Sequence, residues 1–317
     1  MNGRFSEQVM TEAMRDVAGI LGVPCGDAQL LRLTNNAVFA LPSSGVVIRI
    51  ARTHRLRDRV PKVIRLARWF ADIDAPTVRL APGIEQPIEV GTLVASVWQY
   101  VPPGSPAPAV EDLGLVLREF HALDVSPISL PAWDPIDDAR RRLAEADGLH
   151  GSDRDFLMRW CDRLEPRVTA LNQRTERSLI HGDAHVGNLL MEPSGRTVMC
   201  DFDATCVGPW QVDLAAVAVG EHRFGRTGAH ETLAVAYGYD VTSDPSWALL
   251  REARELKMIA AAVPLLATSE EIAAEFGRRL RTVRENDHGT PWTAFADLIT
   301  TKKPGKLQLE AGRRSGK

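Results

Sequence analysis

The sequence predicts an α+β fold in two lobes, a small antiparallel β-sheet lobe followed by a mainly helical one. Three observations predict it. The chain has 317 residues, long for one hydrophobic core and suited to two. Short strand-like runs crowd the first hundred residues, whereas helical spacing of apolar side chains governs most of the rest. Between the two textures lies Val101-Pro102-Pro103-Gly104-Ser105-Pro106-Ala107-Pro108, which neither a strand nor a helix can continue through. The expected organisation is an N-terminal lobe over residues 1–101, a C-terminal lobe over 102–300 and a basic, disordered tail over 301–317.

The elements follow in order. Val9, Met10, Met14, Val17, Ile20 and Leu21 recur at helical spacing, and Gly22-Val23-Pro24 stops that helix. Residues 28–33, 37–41 and 46–51 read as an antiparallel three-strand meander, with Thr34-Asn35-Asn36 and Pro42-Ser43-Ser44-Gly45 as its turns. A basic helix follows over residues 58–72, with Pro61 tolerated in its first turn. Residues 77–80 and 92–100 read as two more strands. Beyond the prolines, helices are expected over 109–123, 135–147, 153–172, 212–221, 229–238, 245–262 and 268–285, interrupted by a β-rich insert over 178–206.

Composition narrows the function. Hydrophobic residues make up 44% and charged residues 25%, as in a folded globular protein. The net charge is −3, but six cations against Glu310 give the last 17 residues +5, leaving −8 on the rest. A body that acidic argues against a nucleic-acid partner and suits a cationic small ligand. No apolar run reaches the ~18 residues of a membrane span, and Met1 to Gly22 lacks a signal-peptide stretch, so no membrane partner is expected. Cys25, Cys161, Cys200 and Cys206 form no CxxC pair, which argues against a zinc site or disulfide framework and for a reduced, cytoplasmic protein.

The chemistry concentrates in the insert. Leu179-Ile180-His181-Gly182-Asp183-Ala184-His185-Val186-Gly187-Asn188-Leu189-Leu190 is followed by Val198-Met199-Cys200-Asp201-Phe202-Asp203, with Glu192-Pro193-Ser194-Gly195-Arg196 as a hairpin turn between them. Strand ends are expected to bring Asp183, Asn188 and Asp201 together. Phosphoryl transfer requires a carboxylate that orients the acceptor hydroxyl and hard oxygen ligands that hold Mg²⁺ on the phosphates. Asp183 suits the first task, Asn188 and Asp201 the second. Gly182 permits a tight loop and His181 props it by hydrogen bonding.

The ordered set His-Gly-Asp-x-His-x-x-Asn, an apolar strand, Asp-Phe-Asp, Gly208-Pro209 and Asp213-Leu214-Ala215 resembles the aminoglycoside phosphotransferase and choline kinase superfamily. That resemblance implies a bilobal protein-kinase-like fold, Asp183 as catalytic base, Asn188 and Asp201 as Mg²⁺ ligands and Asp213 as an anchor of the catalytic-loop backbone. It also implies ATP as phosphoryl donor, bound by the N-terminal lobe. Gln99, Tyr100 and Val101 then form the hinge whose backbone faces adenine, with the Trp98 and Tyr100 side chains equally suited to packing the lobe. The turn Thr34-Asn35-Asn36-Ala37 stands where a glycine-rich phosphate loop is usual, with Asn36 as a replacement donor or as part of a plain solvent turn. Arg49, presented by the third strand, takes the place of the phosphate-binding Lys and keeps the charge on a stiffer fork, or is a plain surface Arg on an edge strand. Between Ala51 and Ile84 there is no Glu to pair with Arg49, and Asp58 is the substitute closest to the helix start.

Arg49, Arg52, Arg55, Arg57, Arg59, Lys62, Arg65 and Arg68 are read as a solvated helix face that helps attract ATP, because stacking aromatics are not interleaved with them. On the acceptor side, Asp203, Glu221, Glu252 and Glu255 form a negative wall for an amine-bearing hydroxyl compound, or pair with Arg251, Arg254 and Lys257. Trp210, Trp247 and Trp292 suit either a ligand or the core. The expected activity is an ATP- and Mg²⁺-dependent small-molecule kinase. A degenerate kinase fold that binds nucleotide without chemistry is the alternative. A protein kinase ranks last, because Asp201 to Asp213 is too short for a peptide-docking segment.

Overall fold

The computed structural model describes residues 6–33, 36–51, 57–125, 129–146, 148–267 and 269–300. The turn residues Thr34 and Asn35, Arg52 and Arg55 of the basic run, and the tail over 301–317 lie outside them. Ser6 caps α1 (Glu7–Leu21) by accepting from the Val9 N–H, and Gly22 ends it in the left-handed region at φ +67°. Strands β1 (Gln29–Leu33), β2 (Asn36–Leu41), β3 (Val46–Ala51), β4 (Ile88–Val90) and β5 (Leu93–Gln99) form an antiparallel sheet in the order β1-β2-β3-β5-β4. One face of the sheet is sealed by α1, whose Met10, Met14 and Val17 share a core with Phe39, Ile48, Ile50 and Val97. Alternation along β3 therefore turns Arg49 to the opposite face.

Helix α2 (Val60–Asp72) buries Val63, Leu66, Ala67 and Phe70 and carries Pro61 in its first turn. The strand expected over 77–80 reduces to isolated bridges, Thr77 with Met199 and Leu80 with Trp98. Pro76 and Pro82 flank this segment and donate no N–H, so no longer ladder forms. It still ties the halves together: the Val78 N–H donates to the Met199 carbonyl at 2.9 Å and the Ala81 N–H to that of Val97 at 3.0 Å. Strand β4 was not expected.

After the proline segment come α3 (Val110–His121), α4 (Pro135–Ala144), α5 (Gly151–Arg174), α6 (Gln211–Phe224), α7 (Ala229–Tyr237), α8 (Trp247–Ala260), α9 (Glu270–Arg284) and a short α10 (Phe295–Thr300). The first seven match the expected helices to within a few residues; α10 was not foreseen. Between α5 and α6, β6 (Ser178–Ile180) pairs with β9 (Cys206–Gly208), and β7 (Leu189–Met191) forms a hairpin with β8 (Thr197–Met199). Among the described residues, no helix is long and apolar enough to cross a membrane.

The larger core runs from α2 into all these helices. Phe202 is fully buried at its centre, with ring centroids 5.1 Å from Phe70 of α2, 6.3 Å from Trp98 of β5 and 5.9 Å from His181. Apolar packing thus pins the residue beside Asp201 to both halves of the molecule.

Candidate active site

Two loops meet beneath the sheet: residues 181–188 between β6 and β7, and 200–205 between β8 and β9. Their backbones are bonded directly. The Cys200 N–H donates to the Asn188 carbonyl at 2.9 Å, and His181 Nε2 donates to the Cys200 carbonyl at 2.9 Å. His181 therefore props the loop as expected. Gly182 sits at φ +76°, and a Cβ there would lie 2.4 Å from the Ala204 carbonyl oxygen, so only glycine fits. Asp213, at the start of α6, is buried and accepts from the N–H groups of His181 at 2.7 Å and Gly182 at 2.8 Å. His121 Nε2 donates to the same carboxylate at 3.1 Å, and Tyr237 Oη lies 3.0 Å from His121 Nδ1. Burial would raise the Asp213 carboxyl, but the His121 hydrogen bond and the nearby imidazoles hold it below its ordinary value.

Asn188 is buried, and its Nδ2 donates to the Asp183 carbonyl at 3.0 Å. Its Oδ1 is buried with no hydrogen-bond partner among the described residues. Such an orphaned oxygen is costly unless something else occupies it. Asp201 lies at φ +70°, with its side chain 28% exposed. A carboxamide oxygen and a carboxylate on adjoining backbone are a hard donor set that fits Mg²⁺.

Asp183 is 39% exposed, and its Oδ1 accepts from Arg254 Nη1 at 3.1 Å and Lys257 Nζ at 3.2 Å, both on α8. Burial would raise this carboxyl, but Lys257 and then Arg254 outweigh it and hold Asp183 far below the usual carboxylate range. Burial pushes the neighbouring His185 down to about 4.

Arg49 has a partner, and it is not Asp58, which is exposed. The Arg49 guanidinium pairs with Asp203 and lies 3.3 Å from Asp201 Oδ1. Arg32 of β1 reaches Asp201 Oδ2 at 3.3 Å. The Asp-Phe-Asp segment thus does the work expected of a helix Glu. The α2 side chain nearest that role is a cation: Lys62 Nζ donates to the Asp203 carbonyl at 2.8 Å and the Thr205 carbonyl at 2.9 Å. Asn36 opens β2, its Nδ2 donating to Asp203 Oδ2 at 3.1 Å while its Oδ1 is buried without a partner among the described residues.

At the hinge, the Gln99 N–H donates to the Arg79 carbonyl and the Tyr100 N–H to that of Gly45, each at 2.9 Å. Trp98 is core, its Nε1 bonded to Ser96. The expected acidic wall is dispersed. Asp203 holds Arg49, Glu221 accepts from the His230 N–H, Glu252 pairs with Arg167 and Glu255 with the buried Arg223. Trp292 is buried beneath the Arg223 guanidinium, 4.5 Å from its ring centroid, and Trp210 stacks on Tyr237. In the basic run, Arg57 pairs with Glu89 and Arg59 with Asp138, while Arg65 is exposed. The face is therefore only partly solvated.

Sequence reasoning missed Arg32, Lys62, His121, Arg254 and Lys257 as parts of the site. Arg254 and Lys257 entered only as cations that could pair with the expected acids, and Lys62 only as a member of the basic run. The long-range contacts themselves, 74 positions apart for Lys257 and Asp183, leave no signal in the sequence.

The sequence profile of the phosphotransferase enzyme family matches residues 32–256. The chain belongs to the phosphotransferase enzyme family. In fold, this phosphotransferase matches several solved structures over nearly their whole length. An amicoumacin kinase solved in complex with AMP-PNP, Ca²⁺ and Ami superposes with a TM-score of 0.67 at 15% identity, covering 93% of this chain and 98% of that one. A choline/ethanolamine kinase family protein from Mesorhizobium loti gives 0.61 at 15% identity, with 87% and 94% covered. An aminoglycoside phosphotransferase from Streptomyces rimosus gives 0.58 at 17% identity, with 78% and 98% covered. A comparison with curated protein sequences found no match. The kinase-like α+β fold and the superfamily inferred from the motif are both borne out.

Proposed function

We propose that this phosphotransferase uses ATP and Mg²⁺ to phosphorylate a hydroxyl group of a small molecule. The observation that carries the reading is the loop cluster in which Asp183, the orphaned Asn188 Oδ1 and Asp201 adjoin one another. The amicoumacin kinase complex, with its ATP analogue and divalent ion, supports it. Asn188 and Asp201 would hold the Mg²⁺, which supplies charge neutralisation on the phosphates.

The chain's own residues do the rest. Asp183 accepts a hydrogen bond from the acceptor hydroxyl and aims it at the γ-phosphorus. With its carboxyl held so low, Asp183 orients more than it abstracts, which suits a loose transition state in which the proton leaves late. Arg49, poised between Asp201 and Asp203, offers its guanidinium to the phosphates. The Val101 N–H and the Gln99 and Tyr100 carbonyls are the hinge groups left for the adenine edge, because the Gln99 and Tyr100 N–H groups are spent within the chain. Residues 1–101 form the nucleotide-binding lobe in this reading, and 102–300 the catalytic lobe.

The test is ADP release from Mg-ATP over a panel of hydroxylated small molecules. Asp183→Ala and Asp201→Ala should each lower kcat by about 10²–10⁴ with an unchanged circular dichroism spectrum. Full activity in Asp201→Ala would remove the metal assignment.

A further inference from the structure

We infer that the hydroxyl acceptor carries an anionic group, a carboxylate or a phosphate ester, gripped by Arg254 and Lys257 of α8. The inference rests on the phosphotransferase reading of Asp183, because the acceptor must reach that carboxylate. Arg254 and Lys257 both sit on the same oxygen, Oδ1 of Asp183, at 3.1 and 3.2 Å. Two cations on one carboxylate leave an excess positive charge where the acceptor enters. His185 beside them is uncharged at neutral pH, so it adds no cation of its own. Lys257 Nζ also donates to the Gly182 carbonyl at 2.6 Å, a contact that fixes its position and takes up none of its charge.

Arg254 is 18% exposed, and Asp183 takes its Nη1. A guanidinium with donors to spare favours a carboxylate or phosphate oxygen. The nearby acid on α4, Asp138, is committed to Arg142 at 2.8 Å and to Arg59 at 3.5 Å. The acids that would have received an ammonium group are engaged with Arg49, Arg167, Arg223 and the His230 N–H. An amine-bearing acceptor would therefore meet like charge at Asp183, whereas an anionic one meets unlike charge.

The experiment measures ADP release by the full chain with three classes of probe. D-glycerate and D-gluconate represent hydroxy acids, glycerol 3-phosphate represents phosphate esters, and choline, ethanolamine and kanamycin represent amines. Neutral glycerol is the reference. At least one anionic class is expected to exceed glycerol in kcat/KM by about tenfold, the scale of one charge-assisted hydrogen bond, and the amines to fall below it. The better anionic class identifies which oxyanion the site reads. Arg254→Ala and Lys257→Met should each raise KM for the anionic probe about tenfold while KM for ATP stays within about twofold. If the two cations only brace Asp183 and Gly182, both variants lower kcat for every probe and leave the charge ranking intact. That pattern, amines outrunning anions, or no ranking by charge overturns the inference. If Mg-ATP neither raises Tm nor yields ADP with any probe, the kinase reading itself falls, a result distinct from kinase activity with the wrong charge preference.

Discussion

At Arg49 one substitution for the usual lysine changes how the site is wired. A lysine is a point charge that a single helix Glu can hold; a guanidinium forks and can take two carboxylates. Here a single guanidinium nitrogen, Nη2, meets both Asp203 and Asp201, two positions apart, so the cation is held without an acid on α2. The absence of Glu between Ala51 and Ile84 and the non-glycine turn are the two grounds for a degenerate kinase fold, and the pairing of Arg49 with Asp203 and Asp201 answers the first. Asp203→Ala should leave Arg49 free to turn wholly onto Asp201. A hydrogen bond to a charged group contributes about 1.5–3 kcal/mol, so KM for Mg-ATP is expected to rise about tenfold or more, with KM for the acceptor unchanged in steady-state assays. An unaltered KM for ATP would show that Asp203 does not position Arg49.

The elements act by what they deliver to the two loops. Helix α2 inserts Lys62 against the Asp203 and Thr205 carbonyls. Burial, reinforced by Arg59, pushes its ammonium down to about 8. An unfolded lysine titrates near 10.4, so between pH 8 and about 10.4 the unfolded chain binds more protons and this group makes folding more favourable as pH rises. Below pH 8 both states carry the proton and the buried charge weighs on the fold. Wild type should gain stability relative to Lys62→Met across that window, measured as Tm against pH; a constant gap would refute the burial. The β6–β7 loop depends as strictly on Gly182. Gly182→Ala forces a Cβ onto the Ala204 carbonyl and a side chain into φ +76°, a strain of about 1–3 kcal/mol. A lower Tm and a reduced kcat should appear together, because the loop that strains is the one that carries Asp183.

Across the whole molecule, Phe202 couples the sheet to the helices through Phe70, Trp98 and His181, so the loop that carries Asp201 packs on the same core as strand β5 beside Arg49. Saturating Mg-ATP at a hundredfold excess over Kd should add about 2.7 kcal/mol, seen as a higher Tm, and EDTA should abolish the shift. ATP stabilisation that survives EDTA would separate nucleotide binding from the ion. Much of the architecture was legible in the residues alone, because it is local: helical spacing, proline breaks and turn residues act within a few positions. The motif around Asp183, Asn188 and Asp201 was legible for the same reason, lying within one short insert. The strand expected over 77–80 and the unforeseen β4 were not, because three-residue strands carry too little pattern to read. What only the tertiary structure decided is which charges meet: Arg49 with Asp203, Lys62 with two loop carbonyls, and Arg254 and Lys257 with Asp183. Ion pairs between residues 71 to 154 positions apart leave no periodicity in a chain. They are set by how the two cores bring α8 and β3 against the same pair of loops.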